Sequence, residues 1–167
     1  MEHTARGHAP DSAEAVRVLL VEDQPEFRDL LAILLGRSGD YRVQAADVTC
    51  WLDDVRASEP DVLLLDLTLD GIDATPSIPK VVADCPTTMV AALTGNLAED
   101  REQTTLAAGA FVFYEKTWMS RLPEYLPADL ALFRRALAGE DVLAPSATTR
   151  RLSTGAPVPE DAGQRQL

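Results

Sequence analysis

Five short apolar runs alternate along the chain with five segments of helical periodicity, and this alternation restricts the fold more than any other feature. The runs are 16–21 (VRVLLV), 41–46, 61–66 (DVLLLD), 87–93 (TTMVAAL) and 110–114 (AFVFY). The first is nearly continuous and rich in β-branched residues, as expected of a strand buried on both faces; 41–46 is the weakest. Between the first two runs Pro25 suits a helix start, and Phe27, Leu30, Leu31, Leu34 and Leu35 fall on one helical stripe that ends near Gly36–Gly39. Val48, Trp51, Leu52 and Val55 stripe a second helix, a proline-interrupted helix is predicted over 75–84, and a polar one over 97–108 ends at Gly109. After a longer connection bearing Pro123 and Pro127, the residues Leu126, Leu130, Phe133 and Leu137 stripe the last helix. Five βα units in succession predict an α/β fold, a doubly wound, five-stranded parallel sheet with helices on both faces.

Outside 16–138 the pattern stops. Residues 1–15 read as a mobile arm and 139–167 as a linker or tail, with one short helix expected over 144–152. At 167 residues the chain suits one domain. Its 27 acidic against 15 basic residues give a net charge of −12, which excludes binding to nucleic acid or an anionic membrane through bulk electrostatics. No apolar run approaches the roughly 18 residues of a membrane span, and the opening MEHTARGHAPDSAEA lacks a signal-peptide core, so a cytoplasmic location is expected. Cys50 and Cys85 form no CxxC pair and read as small apolar residues, while His3 and His8 lack a third ligand.

In open parallel sheets, sites form at the carboxyl ends of the strands. There the chain offers Glu22 and Asp23 after the first strand, Asp66 at the end of the third, Thr94 at the end of the fourth and Lys116 after the fifth. Lys116 is one of only two lysines. Clustered carboxylates repel one another unless a cation compensates, and three oxygen ligands suit a hard divalent ion such as Mg2+. A carboxylate beside such an ion, with a lysine and a hydroxyl in reach, has the makings of a nucleophile toward a phosphoryl group.

The motifs VRVLLVEDQP, DVLLLDLTLDG, MVAALTG and GAFVFYEKT, in this order over about 16–138, resemble those of the response-regulator receiver domains of two-component signalling. The resemblance implies a flavodoxin-like (βα)5 fold and a signalling switch that catalyses only its own phosphorylation and dephosphorylation. It implies Asp66 as phosphoacceptor and Glu22, Asp23, Asp66 and the backbone carbonyl of Thr68 as ligands of Mg2+. It also implies Thr94 as switch hydroxyl, Lys116 as phosphate-binding lysine and Phe113 as switch aromatic. The expected partners are a sensor histidine kinase, an output domain or protein controlling transcription, and a second copy of the chain. Contact with that copy would run through the face of the fourth helix, fifth strand and fifth helix, or that of the first and fifth helices. Residues 134–152 look like the last helix and linker of the NarL/FixJ-type subfamily, in which a helix-turn-helix domain follows; none occurs in these residues, so no direct nucleic-acid contact is expected.

The chain departs from the family pattern at two places. Asp70 stands where a proline usually follows the phosphoacceptor by four, and Thr117 replaces the proline that usually follows the lysine. The segment 117–126 is also longer than the usual link into the last helix, and its Trp118 reads either as a partner anchor or as packing against the domain. Two other functions fit parts of the pattern. One is a receiver-shaped interaction module independent of phosphorylation. The other is a phosphatase of the haloacid dehalogenase type, which needs a second acid where this chain has Thr68. A flavodoxin-like FMN binder is excluded by Glu22–Asp23, which repel a phosphate at the first loop.

Overall fold

The computed structural model describes residues 14–95 and 100–142. Strands β1 (Val16–Val21), β2 (Tyr41–Ala45), β3 (Val62–Asp66), β4 (Met89–Thr94) and β5 (Val112–Glu115) form one parallel sheet in the order β2-β1-β3-β4-β5. Helices α1 (Pro25–Gly36), α2 (Trp51–Ser58), α3 (Ile78–Asp84), α4 (Arg101–Ala107) and α5 (Leu122–Leu137) connect and cover it. This is the doubly wound α/β architecture that the alternation predicts.

The period-two pleat divides the apolar strand residues between two cores. Leu19, Val21, Leu63, Leu65, Val90, Ala92 and Phe113 face α2 and α3. Val18, Leu20, Val62, Leu64, Met89, Ala91, Leu93, Val112 and Tyr114 face α1 and α5. Strand β3 (VLLLD) is buried along its whole length, and each of its leucines contributes about 1.5–3 kcal/mol by leaving water. On α1 the buried face narrows to Leu31 and Leu35, while Leu30 stays exposed, so the predicted stripe is wider than the face that packs. One polar contact lies inside the second core: the Tyr114 hydroxyl donates to Asp129 Oδ2 of α5 at 2.5 Å, with both residues buried.

The largest differences from expectation lie in the connections. Prolines 123 and 127 sit within α5 and not before it: Pro123 takes the first turn, where no N–H is needed, and Pro127 is carried inside the helix. Leu122, Leu126 and Leu130 repeat every four residues on its buried side, and that packing overrides the lost backbone bond at Pro127. The segment 117–126 is therefore a 3-10 helix (Lys116–Arg121) leading into the first turns of α5. No peptide bond among the described residues is cis, so the Lys116–Thr117 link is trans. The predicted proline-interrupted helix divides into a 3-10 turn (Thr75–Ser77) and α3. The predicted 97–108 helix is seen as α4, whereas its first residues, the arm up to residue 13, and the 144–152 and 153–167 segments lie outside the described residues.

Candidate functional site

The strand order reverses direction between β1 and β3, and a parallel sheet opens a crevice at the carboxyl ends of two such strands. Glu22 and Asp23 leave β1 at that point and Asp66 closes β3 beside them. One oxygen from each of the three carboxylates lies within 4.8 Å of the others. Glu22 is fully buried and Asp66 is 3% exposed. Lys116, entering from the end of β5, places its Nζ 2.8 Å from both Glu22 Oε2 and Asp66 Oδ2, and 4.7 Å from the centre of the Phe27 ring. Three carboxylates against one ammonium leave a local charge of −2.

Burial pushes the Glu22 carboxyl above its ordinary range, and it prevails over the opposing hydrogen bonds from Lys116 and the Gln24 backbone N–H. For Lys116 the balance is reversed. Burial disfavours the ammonium, but hydrogen bonds to Asp66 and Glu22 outweigh it and hold the lysine charged.

The acids are oriented from the loop after β3. Thr68 N–H donates to Asp66 Oδ1 at 3.1 Å, and Asp70 N–H donates to Asp23 Oδ2 at 3.0 Å. Residues Thr68–Leu69 and Ile72–Asp73 pair antiparallel around the dipeptide Asp70–Gly71. Both turn residues have positive φ, +49° at Asp70 and +79° at Gly71, the conformation that favours Asp-Gly in a two-residue hairpin of the mirror type. A proline, with φ fixed near −65°, does not fit this position, which accounts for the first departure from the family pattern.

Thr94 is buried at the end of β4, with Glu115 opposite it on β5. Phe113 is buried two register positions before, opposite Ala92. The structure thus gathers Glu22, Asp23, Asp66 and Lys116 into one contact cluster and sets Thr94 and Phe113 in the adjoining strands. Trp118 folds back, its indole N–H donating to Glu115 Oε2 at 3.1 Å.

Arg101 is a neighbour of this site that the sequence reading did not single out. It reaches from α4 to the hairpin, with Nη2 3.0 Å from the Leu67 carbonyl oxygen and 3.2 Å from Thr68 Oγ1. An arginine opening the helix after the fourth strand end, opposite a hairpin carrying Asp73, was the available signal.

The like charges make the pocket a stability cost. At 4.8 Å and an effective dielectric near 20, two carboxylates repel by about 3.5 kcal/mol before solvent screening. Asp23→Asn keeps an oxygen for the Asp70 N–H, so it should raise the free energy of unfolding by roughly 1 kcal/mol after screening. Urea midpoints in the absence of divalent ions check this, and a lower midpoint for the variant overturns it.

A model of the response regulator receiver domain family matches residues 18–124. The chain belongs to this family. Among similar proteins, this receiver is 33% identical over 103 residues to protein-glutamate methylesterase/protein-glutamine glutaminase 2 of Anaeromyxobacter dehalogenans, a match covering 60% of this chain and 30% of that protein. It is 28% identical over 104 residues to the transcriptional regulatory protein LiaR of Bacillus subtilis, covering 61% of this chain and 49% of the other. The receiver therefore corresponds to half or less of these relatives' length. The signal receiver domain of the putative response regulator NarL from Mycobacterium tuberculosis superposes with a TM-score of 0.64 at 26% identity, covering 71% of this chain and 98% of that one. No described helix of the receiver is long and apolar enough to cross a membrane.

Proposed function

We propose that this receiver is a phosphorylatable switch that accepts one phosphoryl group on Asp66 from a sensor histidine kinase. The observation that carries the reading is the meeting of Glu22, Asp23 and Asp66 within 4.8 Å, with Lys116 Nζ at 2.8 Å from Asp66. In the transfer an Asp66 carboxylate oxygen attacks phosphorus, the bond from phosphorus to the donor nitrogen breaks, and the departing imidazole keeps the electron pair and takes a proton. The donor set fits Mg2+: hard oxygen ligands, an excess of negative charge, and room for few carboxylates. Glu22, Asp23, Asp66 and the Thr68 carbonyl would hold it, and it would supply neutralising charge to the transferring oxygens. The Lys116 ammonium, already on Asp66, then pairs with a phosphoryl oxygen. The Thr94 hydroxyl donates to the same group, and Phe113, the switch aromatic, packs inward behind it. This biases the face of α4, β5 and α5 toward a second arrangement that an output domain or partner reads, with control of transcription as the output.

Intact mass after incubation with Mg2+ and a small phosphodonor tests the reading. One phosphoryl group is expected on the wild-type chain and none on Asp66→Asn or without Mg2+. No gain on the wild type points to the phosphorylation-independent module, whereas steady release of inorganic phosphate far beyond one equivalent points to a phosphatase.

A further inference from the structure

The stretch that follows Asp66 orients two of the three acids, through Thr68 N–H on Asp66 and Asp70 N–H on Asp23. The same stretch is held from outside by one side chain. Arg101 Nη2 meets the Leu67 carbonyl oxygen at 3.0 Å, Thr68 Oγ1 at 3.2 Å and Asp73 Oδ1 at 3.5 Å. Its side chain is 20% exposed, and its Nε–H is buried with no hydrogen-bond partner among the described residues. An arginine serving only the surface would turn that donor to water. Here the guanidinium reaches both the start and the end of the hairpin, with Asp73 in turn accepting from the Thr75 N–H and hydroxyl.

We infer that Arg101 is a positioning residue for the divalent-cation pocket. It fixes Leu67, Thr68 and Asp73, the hairpin they bound fixes the amides of Thr68 and Asp70, and those amides fix the carboxylates of Asp66 and Asp23. The inference rests on the reading of these acids as a Mg2+ site. Groups that orient metal ligands from outside typically govern affinity by roughly 10–100-fold. By reciprocity, occupancy of the pocket strengthens the hold of the hairpin on α4.

The sign of the effect makes the test sharp. Removing a positive charge close to an acidic pocket should tighten cation binding if Coulomb's law alone acts. Loss of positioning should weaken it. Calorimetric titration of Mg2+ into the wild-type chain, Arg101→Gln and Arg101→Lys is the experiment, alongside urea midpoints in chelator. Arg101→Gln is expected to bind Mg2+ about tenfold more weakly. Arg101→Lys keeps the charge but not the planar Nη2 donor that makes these contacts, and should fall between the two. Thr68→Val, which deletes one acceptor of the guanidinium and leaves the backbone in place, should weaken binding several-fold and serves if Arg101→Gln does not fold. At saturating Mg2+ the phosphorylation of the folded Arg101 variants should return to the wild-type level. Unchanged or tighter Mg2+ binding by the folded variants overturns the inference, including the case where only the urea midpoint falls. No Mg2+ binding by the wild type overturns the reading of the pocket itself.

Discussion

Lys116→Ala should lower the free energy of unfolding by roughly 3 kcal/mol at about pH 8 and by clearly less at about pH 5. The lysine is the cation that contacts the buried Glu22 and Asp66 carboxylates, and removing one member of a buried ion cluster leaves charge without compensation. The pH dependence follows from Glu22. Burial already raises its carboxyl above the ordinary value, and Lys116 opposes that rise. Without the lysine the folded-state value climbs further above the unfolded one, so the folded protein takes up a proton that the unfolded chain does not. The penalty is present in full above the folded value and fades as pH falls toward the unfolded carboxylate range. Mg2+ should return part of the lost stability. Urea unfolding at the two pH values, with and without Mg2+, checks the prediction, and an equal loss at both pH values sinks it. At saturating Mg2+ this variant should still be phosphorylated on Asp66 but lose the phosphorylation-dependent change in partner affinity.

A second substitution should act through backbone geometry alone. Asp70→Pro restores the residue that the family pattern favours, and it should nevertheless destabilise the chain by roughly 2–4 kcal/mol. It forces φ away from +49° and removes the N–H that donates to Asp23. Asp70→Asn keeps both the conformation and the donor and should stay within about 0.5 kcal/mol of the wild type. Comparison of the two by urea denaturation separates the backbone effect from the loss of the acid. A neutral or stabilising Asp70→Pro would mean that the hairpin does not persist in solution.

The sheet and its two helical layers were legible because the strands are short apolar runs and the helices carry stripes, patterns that follow from burial. The acids and Lys116 were legible because parallel topology fixes which residues meet at the strand ends. What escaped was local geometry. Asp-Gly signals a turn, but whether two residues on either side pair as strands depends on neighbours such as Asp23 and Arg101, which are distant in sequence. Pro127 reads as a helix boundary by propensity, yet the buried spacing of Leu122, Leu126 and Leu130 carries α5 through it. Arg101 was hidden among the polar residues of a weakly patterned helix, because its importance lies in contacts across 28 to 34 residues.

The buried Tyr114–Asp129 contact has a mechanical consequence. Sliding or rolling α5 along the sheet would pull a carboxylate from its donor inside an apolar layer, so the helix and β5 behave as one stiff lever. The short arm of that lever is the end of β5, where Lys116 bridges Glu22 and Asp66, and the long arm runs to Leu137. On this geometry a displacement at the ammonium would be expressed at the far end of the helix, and a torque applied there would reach the pocket.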